Sequence, residues 1–145
     1  MRMRLHWRAG LVLAGAALAA LVGCSNDHPN GHADKAPFRV TERDFRISAP
    51  KRVSAGNFEV SVHNKGPDDH EFIVVRLRGK GLPLRPDGLT VDEDAIEKAT
   101  AGALEPAEPG VHELSVRLQP GRYELLCNMY GHYAGGMHTK LVVSS

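Results

Sequence analysis

Strict alternation of apolar and polar residues runs through two separate stretches of this chain and leaves little room for anything but half-buried β-strands. In residues 57–63, Phe58, Val60 and Val62 point one way, and Glu59, Ser61 and His63 the other. In residues 111–118, His112, Leu114, Val116 and Leu118 oppose Val111, Glu113, Ser115 and Arg117. A side-chain period of two belongs to a strand and not to a helix. Residues 38–48 mix aromatic, β-branched and charged side chains and read as a strand with an irregularity. Residues 72–77 form a compact apolar strand, and 123–127 and 140–144 are the last two. Turn clusters separate them, at Asn64-Lys65-Gly66-Pro67-Asp68-Asp69 and at Pro120-Gly121. Short antiparallel strands spaced this way predict an all-β sandwich. Its core is expected from Phe45, Ile47, Phe58, Val60, Val62, Phe72, Val74, Leu114, Val116, Leu125 and Leu141.

One stretch breaks the pattern. Residues 79–110 are rich in Pro, Gly and acid. Thr90 followed by Glu93 is a capping-box pattern, and Asp92, Glu93 and Asp94 suit the positive end of a helix dipole. A short helix over about residues 91–100, flanked by loops, is the expectation. Its acidic face is either a docking patch for a partner or simply a solvated surface.

The first 23 residues read differently again. Arg2, Arg4 and Arg8 precede an apolar run that is shorter than the roughly 20 residues of a stable membrane span, as in a secretory signal peptide. Leu21-Val22-Gly23-Cys24 resembles the lipobox of bacterial lipoproteins, in which the cysteine is acylated and becomes the new first residue. The expected organisation is therefore a signal peptide over 1–23, a lipid-anchored polar tether over 24–37 and one folded domain over 38–145. The predicted site of action is extracytoplasmic, on the cell membrane or, in a two-membrane organism, the outer membrane. His28 and His32 in the tether read as polar linker residues. Without the leader, 15 basic residues stand against 17 acidic ones, with no basic stripe, so nucleic acid is not expected as a partner.

Cysteine usage then becomes informative. The chain has two cysteines. If Cys24 carries lipid, Cys127 has no disulfide partner in an oxidising compartment, where a lone thiol needs burial or a metal. Cys127 begins the spacing Cys127-x4-His132-x4-Met137, which puts a thiolate, an imidazole and a thioether on one loop between two strands. Soft sulfur donors with imidazole suit copper, and two His, one Cys and a long axial Met make the blue-copper set. His70, after the turn at 64–69, supplies the second imidazole. Neighbouring strand ends are ~4.8 Å apart, close enough for their ligands to share one ion. A buried structural thiol and a zinc site are the competing readings of Cys127. His138 should point away from Met137 toward solvent, and Met129 should pack the loop.

Two motifs carry a resemblance. Asn64-x-Gly66-Pro67-x-x-His70-Glu71-Phe72 and the run from Gly121 through Tyr123, Cys127, Gly131, His132 and Gly136 to Met137 resemble the cupredoxins, most nearly the sulfocyanin-like and plastocyanin-like members that are secreted or lipid-anchored. The resemblance implies a Greek-key β-sandwich of about seven or eight strands with one short helix in an inserted loop. It also implies one type 1 copper cycling between Cu(II) and Cu(I), with His70, Cys127 and His132 as equatorial ligands and Met137 as the axial one. The function implied is single-electron transfer by a monomeric, non-enzymatic carrier that docks its redox partner near His132. The alternative is a protein for extracytoplasmic copper trafficking or scavenging. One departure stands out. Where plastocyanins and azurins usually have Asn after the first ligand His, this chain has Glu71, leaving Asn64 or Asn128 to tie down the cysteine loop.

Overall fold

The computed structural model describes residues 36–145. The expected signal peptide, Cys24, the tether histidines and nearly all of the tether lie outside the described residues. Among the described residues, nine strands form two sheets. In chain order they are β1 (Ala36–Arg43), β2 (Arg46–Ser48), β3 (Arg52–Ser54), β4 (Gly56–Asn64), β5 (His70–Arg76), β6 (Thr100–Ala107), β7 (Gly110–Leu118), β8 (Gly121–Leu126) and β9 (His138–Ser144). A single α-helical turn, α1 (Glu93–Ile96), precedes a 3-10 turn (Glu97–Ala99) between β5 and β6. The first sheet runs β2-β1-β4-β7 and the second β3-β9-β8-β5-β6. Most pairings are antiparallel, as expected, but β1 runs parallel to β4 and β3 parallel to β9.

Alternation sets which faces meet. Phe58, Val60 and Val62 of β4 and Leu114, Val116 and Leu118 of β7 face Phe72, Val74, Leu125 and Leu141 of the other sheet in one buried cluster. Each fully buried side chain of this kind contributes about 1.5–3 kcal/mol. Phe38 packs edge-on against Phe58, with ring centroids 5.2 Å apart. At the opposite end of the β7–β8 turn, Tyr123 is buried but keeps its hydroxyl satisfied: it donates to the Gln119 carbonyl at 3.0 Å and accepts from the Gln119 amide at 3.1 Å.

β5 departs from alternation because both its faces are covered. Ile73 and Val75 point outward, with Leu126, under Val91 and Ile96 of the insert. A strand buried on two faces reads as a continuous apolar run. The insert is thus a lid over one sheet face, and its helix is shorter than expected. Asp92, not Thr90, is the N-cap, its carboxylate accepting from the Ala95 amide at 3.4 Å. The chain returns to extended geometry at Thr100 and forms β6, which the composition of 79–110 hid. β6 is an edge strand, the kind of position in a sheet where a proline such as Pro106 is tolerated.

The irregularity in residues 38–48 is a hairpin. β1 turns at Asp44-Phe45 and returns as β2, with Arg43 paired to Arg46. Phe45 sits on that turn and is 48% exposed, so it leaves the expected core. The rest of the expected core is buried.

Candidate metal centre

β5 and β8 are antiparallel neighbours, with Ile73 paired to Leu126. The start of β5 and the end of β8 therefore lie at the same end of the sheet. His70 is the first residue of β5, and Cys127 follows the last residue of β8. The segment after Cys127 folds back through its own hydrogen bonds: the His132 amide donates to the Met129 carbonyl (2.9 Å), Met137 to His132 (3.0 Å) and Cys127 to Met137 (3.0 Å). Gly131 and Gly136 take positive φ values of 81° and 97°, which let this short loop reverse without steric cost.

This brings one donor atom each from His70, Cys127 and His132 within 4.8 Å of one another. The Cys127 sulfur is 3.5 Å from His132 Nδ1, and the two imidazole rings stand 5.3 Å apart at 70°. Met137 is fully buried in the same core cluster as Cys127, its backbone bonded to both Cys127 and His132. Of the four, His132 is the most open at 9% exposed, against 2% for His70 and none for Cys127 and Met137.

The donors fit a metal. His70 Nδ1 is buried and has no hydrogen-bond partner, a costly state for a polar atom and the expected one for a ligand nitrogen. Burial pushes the His70 imidazole down toward its neutral, ligating form. The Asp44 carboxylate pulls the other way, and His132 adds to the lowering. Burial pushes the Cys127 thiol up to about 11. The Met129 and Glu71 amides oppose that shift by donating to the sulfur, Glu71 at 3.4 Å, while Glu42 and Glu71 add to it. Amide donors of this kind stabilise a thiolate once a cation has displaced its proton.

The side chains around these donors account for the departure at Glu71. Its carboxylate accepts from the Asn128 amide and so grips the cysteine loop itself; burial and the nearby Glu93 carboxylate push it up to about 7. Asn64 serves the other histidine loop: its side chain accepts from the Gly66 amide at 3.0 Å and donates to the Asp68 (2.9 Å) and Ala107 (3.1 Å) carbonyls. Asn128 turns toward the insert instead. It accepts from the Val91 amide at 2.6 Å and donates to the Val91 carbonyl (3.1 Å) and the Glu93 carboxylate (2.6 Å). The acidic insert is thereby fastened to the residue next to Cys127.

Four residues at this end escaped the sequence reading. Asp44 Oδ1 lies 2.9 Å from His70 Nε2, within ion-pair reach though not aligned as a hydrogen bond. Phe45, on the same turn, packs edge-on against His132, with ring centroids 5.1 Å apart. Glu42 is 1% exposed, with one carboxylate oxygen unpartnered, and burial together with Glu71 pushes it up to about 8. Glu124, also buried, accepts from the Tyr133 hydroxyl at 2.9 Å and pairs with His138 at 3.0 Å. His138 lies at the surface as expected, stacked on Tyr133. For Glu42 a signal exists, since the apolar alternation of Phe38 and Val40 continues to it; nothing local marks the other three.

The architecture has known counterparts. The reduced auracyanin of Roseiflexus castenholzii superposes with a TM-score of 0.59 at 19% identity, over 78% of this chain and 99% of that one. This is the cupredoxin fold. Auracyanin A of Chloroflexus aurantiacus, described as a "blue" copper protein, shares the fold at a TM-score of 0.56 and 19% identity, over 77% of this chain and 100% of that one. Rusticyanin of Thiobacillus ferrooxidans does so at 0.58 and 14% identity, over 77% and 79% of the two chains. The sequence matches no protein-family model and no curated protein. Within the cupredoxin fold, the tip that gathers His70, Cys127 and His132 is built from the ends of β5 and β8, as expected from the two motifs. No helix among the described residues is long and apolar enough to cross a membrane.

Proposed function

We propose that this protein is a type 1 copper electron carrier, with His70, Cys127 and His132 as the equatorial ligands and Met137 as the axial one. The observation that carries the reading is the meeting of two imidazoles and the sole described cysteine within 4.8 Å, one imidazole having an orphaned buried nitrogen. Bound there, copper supplies a one-electron Cu(II)/Cu(I) couple. The chain's own part is to hold the donors still. His70 and Cys127 sit on adjacent strand ends, the loop to Met137 is closed by three backbone hydrogen bonds, and the Glu71 and Met129 amides steady the sulfur. A frame that does not rearrange between oxidation states keeps the cost of electron exchange low. Electrons enter and leave past His132, the most open ligand, which packs against exposed Phe45 and follows exposed Tyr130 by two residues in the loop, where a redox partner docks.

The alternative of copper delivery needs ligands that open to an acceptor. Three of the four are essentially closed to solvent, which favours the carrier. The lipobox at Cys24 supports action at an extracytoplasmic membrane surface, with the lipid as anchor. Loading the protein with Cu(II) should give an intense visible thiolate-to-copper band that bleaches on reduction and returns on oxidation. Retention of that band in Cys127→Ser would refute the ligand assignment.

A further inference from the structure

The β1–β2 turn places one residue on each imidazole of the centre. Phe45 makes a T-shaped contact with His132, and Asp44 meets His70. The second contact is built and not incidental. Asp44 Oδ1 stands 2.9 Å from His70 Nε2, within ion-pair reach though off hydrogen-bond alignment, and on the other side of the ring from the buried Nδ1. Gly66 leaves the room for it: a Cβ there would lie 2.5 Å from Asp44 Oδ1 and 2.8 Å from His70 Nε2. Gly66 is held in place by its amide, which donates to the Asn64 side chain. Two segments, the β1–β2 turn and the 64–69 turn, thus converge on one ring nitrogen. The His70 side chain is fully buried and the Asp44 side chain only 22% exposed, so the carboxylate acts on the ring with little water between them.

We propose that Asp44 is a positioning residue that holds His70 by Nε2 and lowers the reduction potential of the centre. The inference rests on the copper reading above. A histidine ligand whose second nitrogen faces a carboxylate has its ring orientation and tautomer fixed and becomes a stronger donor. A stronger donor, with a fixed negative charge behind it, favours the more highly charged Cu(II) over Cu(I). The oxidised state gains and the potential falls.

The test compares the full chain with Asp44→Asn and Asp44→Ala. Asp44→Asn keeps the shape of the side chain and an acceptor oxygen but removes the charge. After copper loading it should keep the visible band. Poised at one potential, its ratio of reduced to oxidised protein should rise roughly tenfold, taking the lower end of the loss in metal affinity on altering a ligand's outer partner as a loss of Cu(II) binding alone. For one electron that is about 59 mV upward. Asp44→Ala should show the same rise and, in addition, faster copper release to a chelator. A potential for Asp44→Asn that is unchanged or lower than the parent's overturns the electrostatic role. A second readout needs no copper. In the metal-free protein, nitrogen NMR should find His70 with its proton on Nε2, and Asp44→Ala should lose that preference. An Nδ1–H tautomer in the parent overturns the positioning role. If the parent gives no type 1 signal with copper, the copper reading falls, while the tautomer result still decides whether Asp44 holds the ring.

Discussion

Replacing Glu42 with Gln should make the metal-free protein more stable at neutral and alkaline pH and flatten its stability profile. Glu42 lies inside the sandwich with one oxygen unpartnered. Burial and the nearby Glu71 carboxylate raise its proton affinity, from 4.5 in an unfolded chain to about 8 in the fold. The folded state therefore binds this proton more tightly than the unfolded state does. Stability is fully present below pH 4.5 and is lost progressively as pH rises through about 8. At about 1.4 kcal/mol per unit, the loss between pH 5 and pH 9 is on the order of 4 kcal/mol. Gln keeps the volume and carries no charge at any pH, so that component should vanish. Urea denaturation at pH 5, 7 and 9 measures it. Glu71 contributes a slope of the same sign, so the informative quantity is the difference between parent and variant. Parallel profiles for the two proteins would refute the burial argument.

Two further outcomes follow from the same geometry. Asn128→Ala strands the amide and carbonyl of Val91, a residue with no exposure, and should cost about 1–3 kcal/mol, with faster hydrogen exchange confined to the insert around Val91. Because the free Cys127 thiol stays protonated up to about pH 11, copper must displace a proton from it. Apparent Cu(II) affinity measured against a competing chelator should therefore rise about tenfold per pH unit between roughly pH 7 and 9, and a flat profile would exclude the thiolate as a ligand.

Local pattern carried much of this structure. The period-two stretches around Val60 and Val116 became β4 and β7 with the expected faces inward, and the two motifs placed His70 and Cys127 on neighbouring strand ends. What escaped was set by contacts distant in sequence or by weak side-chain contrast. β6 is made largely of small residues, Ala, Gly and Pro, whose half-buried alternation differs little in hydropathy between its two faces. Phe45 stands in the expected core, yet no local feature distinguishes a buried ring from one that packs on a histidine at the surface. Asp44 meets His70 only because the β1–β2 turn and the 64–69 turn lie at the same end of the fold. Glu71 looked like a missing asparagine, yet a carboxylate accepts the Asn128 amide as well as an amide oxygen does.

The central claim is that four side chains from the ends of β5 and β8 and the loop after β8 create one copper site of type 1 character. Electron paramagnetic resonance of the oxidised, copper-loaded protein tests it most directly. The expected spectrum has the small parallel copper hyperfine splitting of a highly covalent copper–thiolate bond. A wide splitting, typical of tetragonal copper bound by nitrogen and oxygen, would contradict the account.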